Sequence, residues 1–361
     1  MRNITLPLSL ALAALASASL PAQAQYTAYD LGFGDAYAIN SSGTVVGFSG
    51  TMETHRAFSY SGGVMTDLGT LGGANSVAYS INSLGVVVGR SDMSGGYWHG
   101  FSYAGGHMTD LGVFSSYYSD AYGINDSGTI VGSVWTTGNM DHAAYYSGAH
   151  WTDLGTLGGN YSAAAAINSA GTVVGWSDLS VGTHAFSYRA GVMTDLGTLG
   201  GSGSYAMDIN DSGTIVGYAN DHAFCYSAGV MKSIGTLAGG YSSYANAINP
   251  SGTIVGNSTI DAQGDHHAFL YNGSVMSDLG PYLVSIGLTG SSEALGINDR
   301  GDVVGCGYDA LGQQHAFLLA AQVVPEPSMV ALLALGGAAL LCSGVSPVTH
   351  NCRRKHNGRG H

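Results

Sequence analysis

Seven histidines recur along the chain, at His55, His99, His142, His184, His222, His267 and His315, each opening a short segment of His-Ala-Phe type. Histidine is the commonest transition-metal ligand, so a metal centre is the first chemistry to consider. The spacing argues against it. Zinc needs several ligands at about 2.0–2.1 Å in one place, whereas one histidine per repeat puts its neighbours on separate structural units. The expected role is a repeated hydrogen bond to backbone within each unit. Seven asparagines, Asn40, Asn82, Asn125, Asn168, Asn210, Asn249 and Asn298, recur in the same way and read as turn formers. The aspartates of the Asp-Leu-Gly segments (Asp30, Asp67, Asp110, Asp153, Asp195 and Asp278) also recur, but one copy reads Ser233-Ile234-Gly235. The carboxylate is therefore dispensable there, and a hydrogen-bonding or solubilising role is expected.

Calcium is the one cofactor left open. Asn210-Asp211-Ser212-Gly213 and Asn298-Asp299-Arg300-Gly301 offer oxygens, although the spacing of an EF-hand is absent. The pair His266-His267 reads as a loop residue beside a structural histidine. No Gly-x-Ser-x-Gly elbow, His-Glu-x-x-His, Cys-x-x-Cys or phosphate-binding loop occurs. Glutamate is confined to Glu53, Glu293 and Glu326, so a two-carboxylate glycosidase would have to work with aspartates. No catalytic residue and no metal ligand is assigned, and the chain is expected not to be an enzyme.

The elements that carry these residues follow from the period. The asparagines are separated by 42, 43, 43, 42, 39 and 49 residues, the range of arrayed supersecondary units. In one unit, an apolar run Ala165-Ala166-Ile167 leads to the turn Asn168-Ser169-Ala170-Gly171. A β-branched strand from Thr172, a variable loop, a third strand at His184 and a fourth at Val192–Gly197 complete it. Four short strands in about 43 residues make one propeller blade. The last unit lacks its fourth strand, while an orphan copy, Thr27-Ala28-Tyr29-Asp30-Leu31-Gly32, stands near the start. An overlap of that kind clasps a ring shut. The expectation is an all-β, seven-bladed β-propeller over residues 25–322, closed by an N-terminal strand, with the Ala-Ile-Asn strand innermost. A β-solenoid is the runner-up.

Both ends read as addresses. Residues 1–24 form a signal peptide: Arg2, an apolar run from Leu6 to Leu20, and Ala22-Gln23-Ala24, with cleavage expected between Ala24 and Gln25. Residues 323–328 contain Val-Pro-Glu-Pro-Ser, residues 329–345 are apolar enough for one transmembrane helix, and the tail 346–361 carries Arg353, Arg354, Lys355 and Arg359. Between them lie all 23 acidic side chains and five basic ones, a net of −18 over residues 25–327. Such a surface repels phosphate backbones, so nucleic acid is excluded as a partner. The four cysteines have no metal-type spacing and suggest no disulfide framework.

Tight turns repeat from unit to unit; the loops between second and third strands, and between successive units, do not. In a propeller these two loop sets emerge on one face, where binding usually lives. They carry Tyr97, Trp98, Tyr117, Tyr118, Trp135, Tyr161, Tyr205, Tyr241 and Tyr244. Aromatic rings among Ser, Asn, Asp and Gly suit stacking on sugars, with packing between blades as the competing role for each.

The repeat resembles the HAF-repeat family, named for His-Ala-Phe. The motif is intact at His184, His222, His267 and His315, and altered at His55 (Arg inserted), His99 (Gly for Ala) and His142 (Ala for Phe). The C-terminus resembles the PEP-CTERM sorting signal of Gram-negative bacteria at Pro325, Glu326 and Pro327, although Ser346 to Cys352 separate the helix from the basic cluster. These resemblances imply an extracellular or cell-surface location, an exosortase-type processing enzyme as partner, and transient or permanent anchoring in the inner membrane. They imply no activity. The reading is an exported, non-enzymatic propeller that binds or scaffolds exopolysaccharide or a surface protein. The alternatives are a propeller-type glycan hydrolase or lyase, and a purely structural surface protein.

Overall fold

The computed structural model describes residues 26–322, apart from residues 52, 53 and 116. The expected signal peptide and cleavage site, the expected sorting motif, the apolar segment and the basic tail lie outside the described residues. No helix among the described residues is long and apolar enough to cross a membrane.

The described residues are all-β: five antiparallel four-stranded sheets, and one seven-stranded sheet in which the first and last units are joined. The first unit comprises β1 (Tyr26–Ile39), β2 (Val45–Gly50), β3 (His55–Ser61) and β4 (Val64–Gly69). β1 serves two sheets. Its first part, Tyr26 to Phe33, pairs with the last strand, Gln314–Ala321, and from Gly34 onward it pairs with β2. The orphan segment thus supplies the fourth strand of the last unit, as its sequence suggested.

Each first strand enters the tight turn through asparagine. The Asn40 backbone exchanges hydrogen bonds with Gly43 and Thr44, and Gly43 sits at φ 88°, where a side chain would be strained. The asparagine side chain also has a second partner outside its unit. Its Oδ1 accepts from the Thr44 N–H, while its Nδ2 donates to the carbonyl of the next unit's asparagine, Asn82. The same donation runs from Asn82 to Asn125, Asn168, Asn210, Asn249 and Asn298, and from Asn298 back to Asn40. Seven side chains therefore form one closed hydrogen-bonded cycle. Beside it, a cavity of about 230 Å³ is lined by the first strands of all seven units.

A second device repeats between units. Ser76, buried on the first strand of the second unit, accepts from the Ala57 N–H and donates to the Gly69 carbonyl of the first unit. Ser119, Ser162, Ser204 and Ser243 make the equivalent pair of bonds. The apolar cores lie between neighbouring sheets. Val46, Ala57 and Leu68 of the first unit, for example, pack on Ala78, Ile81, Val87 and Phe101 of the second. Phe58, Phe101, Phe186, Phe224, Phe269 and Phe317 are fully buried at the same repeat position.

The two other motif departures lie side by side. Ala144 stands where the third unit should bury Phe, and Trp151 fills the space from the neighbouring strand, donating its indole N–H to Leu111 O. Gly100, in place of Ala, borders that indole, and a Cβ there would make only ordinary contact with the Trp151 ring, at 3.4 Å. The chain after Leu279 is locally helical before the last unit begins. It forms a one-turn helix, Gly280–Leu283, and a 3-10 turn, Val284–Ile286, whose Leu283 joins the core with Leu288.

Three expectations need correction. First, the third strand of the first unit does not begin its motif at His55. Ser49 faces Arg56 as Ser91 faces His99 and Ser177 faces His184. Arg56 therefore replaces the histidine, and nothing is inserted. Second, the histidines do not bond to backbone. His99, His142, His184, His267 and His315 turn Nδ1 to Asp110, Asp153, Asp195, Asp278 and Asp30 at 2.9–3.1 Å, and Arg56 pairs with Asp67 at 3.2 Å. Each of these aspartates pairs across the strands with the residue two beyond the histidine, so its carboxylate reaches the imidazole diagonally, and side-chain pairing pre-empts the backbone bond. In the fifth unit the residue paired with Phe224 is Ser233, so His222 has no such carboxylate. Third, four of the nine aromatic residues lie in strands rather than loops. Trp98 opens a strand, Trp135 closes one, and Tyr205 and Tyr244 lie within first strands.

Candidate functional site

The first strands carry the residues that shape the site, because of a β-bulge. The register between first and second strands shifts between Ala36 and Ala38, and equivalently in the other units. At the bulge the Asp35 backbone closes on Gly47, so a Cβ at Gly47 would collide with the Asp35 carbonyl. The same contact joins Gly89 to Val77, Gly132 to Asp120, Gly175 to Ala163, Gly217 to Tyr205, Gly256 to Tyr244 and Gly305 to Glu293. A bulge re-aims side chains. The residue left unpaired is Tyr37, Tyr79, Tyr122 or Ala165, and these line the axial cavity; Asp35, Val77, Asp120 and Ala163, two residues earlier and still in register, line cavities on the variable-loop side.

Two such cavities adjoin, with volumes of about 570 and 370 Å³. The first is walled by Phe33, Tyr37, Phe48, His55, Tyr79 and Tyr308, with Asp35 and Gln314 among its polar groups. The second is walled by Tyr97, Trp98, Tyr118, Tyr122 and Trp176, with Asp120 and Asp141. Arg90 belongs to both. Its guanidinium lies 4.7 Å from the Trp98 ring centre and 5.8 Å from that of Tyr79, within cation–π range. Its Nη1 is 3.7 Å from Asp120 Oδ1. Tyr37, Tyr79 and Tyr122 form a row with ring centres 5.4 and 5.3 Å apart, and they also line the axial cavity.

The electrostatics follow from enclosure. Burial raises the proton affinity of Asp120, against the pull of Arg90 and of the Tyr122 hydroxyl, which donates to Asp120 Oδ2 at 3.0 Å. Burial also raises Asp35, which accepts from Gln314 Nε2 and from the Tyr37 hydroxyl. Glu293 is raised by burial, and Tyr79 is pushed up to about 12 mainly by the same cause. Two buried atoms of the central ion pair, Arg90 Nε and Asp120 Oδ1, have no hydrogen-bond partner in the protein, a costly arrangement unless a further polar group engages them.

Of the nine aromatic residues singled out from sequence, Tyr97, Trp98 and Tyr118 line the second cavity. Tyr117 and Trp135 extend the same ring cluster: Tyr117 lies 6.1 Å from Tyr97, and Trp135 lies 5.4 Å from Tyr118. Tyr205 and Tyr244 belong to a different group, packed on either side of Tyr218 at 4.9 Å. Tyr161 and Tyr241 are exposed and line neither cavity. Arg90, Asp120, Asp35 and the tyrosine row went unnoticed in the sequence. Their signal was departure from the repeat: Arg90 is one of five basic residues in the region and stands where other units have Phe48, Trp176 or Tyr218. His55, displaced from the motif, stacks near Trp98 and Phe48 instead. Among the described residues, no three His, Cys, Asp or Glu side chains converge as a metal ion would require.

No protein family matches the chain, and no curated protein matches it. Among solved structures, it is similar to TolB from Acinetobacter baumannii, with 9% identity and a TM-score of 0.44, over 81% of this chain and 65% of that one. It is also similar to a mutant of Aleuria aurantia lectin in complex with alpha-methyl-L-fucoside, with 14% identity and a TM-score of 0.36, over 84% of this chain and 97% of that one. The chain thus spans less than two thirds of the TolB structure's length. Both likenesses are too distant to transfer a ligand.

Proposed function

We propose that this chain is an exported, non-enzymatic seven-bladed propeller that binds a glycan of the extracellular matrix or cell surface at the mouth of its axial cavity. The ring reading is supported by the pairing of β1 with the last strand and by the closed asparagine cycle. Export rests on the signal at residues 1–24 and on the Pro325-Glu326-Pro327 motif with its apolar segment, which together would deliver the chain to an exosortase-type enzyme at the inner membrane.

One observation carries the binding function: two aromatic-walled cavities on the variable face meet at the enclosed Arg90–Asp120 pair. Ligand sites are mostly apolar concavities with a few fixed polar groups, and flat rings beside hydrogen-bonding charges suit a sugar's apolar face and hydroxyl edge. The test is a glycan and exopolysaccharide array probed with the full chain. Binding should be retained in Tyr241→Ala and lost in Trp98→Ala; an array with no binding at all would leave a purely structural protein.

A second reading, a glycan hydrolase or lyase, draws on the raised proton affinity of Asp35 and Asp120, the property of a general acid. Turnover on the same glycans, abolished in Asp35→Asn or Asp120→Asn, would select it.

A further inference from the structure

We infer that the ligand is an uncharged oligosaccharide of at least two sugar residues, lying across Arg90 with one ring in each of the two cavities. This rests on the glycan-binding reading and specifies its substrate class.

The length follows from the layout. The two cavities share Arg90 as their dividing wall and open on the same side of the sheets. Each has its own aromatic surface, Tyr37 and Phe48 in one, Trp98 and Trp176 in the other. A single sugar filling either cavity would leave the other's rings unused. A linked pair engages both, with the linkage passing over the guanidinium.

The charge class follows from the side chains facing that path. An anionic sugar needs an uncompensated cation. Among the described residues, Arg90 is the sole Lys or Arg lining either cavity, and it is already matched by Asp120 at 3.7 Å, with Asp35 and Asp141 nearby. His55 is the other basic group facing the first cavity. Residues 25–327 as a whole carry a net −18, a field that disfavours the approach of a polyanion. The pair itself points the same way. Arg90, about a third exposed, lines both cavities and stands 3.7 Å from Asp120, which lines the second. A hydroxyl both donates and accepts, so sugar hydroxyls match a guanidinium beside a carboxyl group, whereas a carboxylate matches only its arginine half.

The experiment measures affinity of the full chain by calorimetry. The probes are neutral gluco-, galacto-, manno- and xylo-oligosaccharides from mono- to hexasaccharide, with oligogalacturonides as the anionic series and chitosan oligomers as the cationic one. A neutral series should bind best, gain at least about tenfold from mono- to trisaccharide, and change little between low and high salt. Arg90→Gln/Asp120→Asn, which removes both charges together and leaves neither buried alone, should weaken binding about tenfold or more. Its unfolding midpoint, measured alongside, verifies the fold, and Trp98→Ala provides an independent loss through the second cavity. Tightest, salt-sensitive binding of the galacturonide or chitosan series would overturn the charge class while leaving the glycan reading intact. Equal affinity for mono- and trisaccharide would overturn the two-cavity span. Unchanged affinity in both variants would place the site elsewhere. No carbohydrate binding at all would overturn the proposed function itself.

Discussion

Replacing Asn168 by Asp tests whether the asparagine cycle supports the fold. Asn168 Oδ1 accepts from the Thr172 N–H at 2.9 Å, and its Nδ2 donates to the Asn210 carbonyl at 3.2 Å, with Asn168 itself buried. In Asn168→Asp the first bond survives. The second becomes an oxygen facing an oxygen, because a carboxylate only accepts. The loss comprises one hydrogen bond, about 1 kcal/mol, and an acceptor pair left without a donor, about 1–3 kcal/mol more. A destabilisation of about 3 kcal/mol at neutral pH is expected. It should also depend on pH. Protonation restores a donor toward Asn210, so the new carboxyl has a folded pKa above its unfolded value of about 3.9. The folded state then binds more protons than the unfolded state, and stability falls as pH rises. About 3 kcal/mol corresponds to about two pKa units, so the defect should be small near pH 4 and fully developed above about pH 6. Asn168→Ala loses both bonds without gaining a titratable group, and its deficit should be flat over the same range. Urea unfolding of both variants and the parent, compared at each pH, separates them. An Asn168→Asp midpoint equal to the parent's at pH 7, or a deficit that does not shrink on acidification, would refute the structural role of the cycle.

The other devices give shorter tests. Ser162→Ala orphans the buried Ala143 N–H and the Gly155 carbonyl and should cost about 2–3 kcal/mol in denaturant unfolding. Gly175→Ala forces a Cβ against the Ala163 carbonyl at the bulge; a loss of about 1–3 kcal/mol, read by thermal unfolding, is expected. Arg56→His should be nearly neutral, within about 0.5 kcal/mol, because it installs the pairing the other units already use at an exposed site. Asp208, whose oxygens accept from Ile209 and Ile248 N–H groups, is pushed up to about 6 by burial. Carboxyl-carbon NMR should show one aspartate titrating there, with its contribution to stability growing as pH falls from about 6 toward 4.

The scaffold was legible because the same physical problem is solved seven times. Gly43 and its counterparts announce a turn, and Val45-Val46 a buried strand. The orphan strand at Asp30 announces a partner at the other end of the chain, which the register with His315 and Phe317 supplies. What stayed hidden needed the third dimension. That Asn40 bonds Asn82 is invisible when both already have a local reason to be asparagine. The partner of His99, eleven residues away, becomes evident only once the strands are paired. Register also corrected the first motif: counting letters aligned His55 with the other histidines, whereas hydrogen-bonded pairing aligned Arg56.

The site was the hardest part to foresee, for a reason within the repeat itself. The glycine of each second strand exists because the first strand crowds it beside the bulge. The residues whose carbonyls do the crowding are Asp35, Val77, Asp120, Ala163, Tyr205, Tyr244 and Glu293, each followed by an alanine that never varies, such as Ala36 and Ala121, and the first four line the two cavities. A constant backbone device thus presents a position free to differ chemically from unit to unit. Loops drew attention as the obvious variable parts, and Tyr97 and Tyr118 justify some of it. The charged centre is instead built from strand residues, Arg90 and Asp120, held in place by the same bulge that dictates Gly89 and Gly132. In such an array the informative places are the variable letters inside the constant words, since there the scaffold fixes the geometry and leaves the chemistry open.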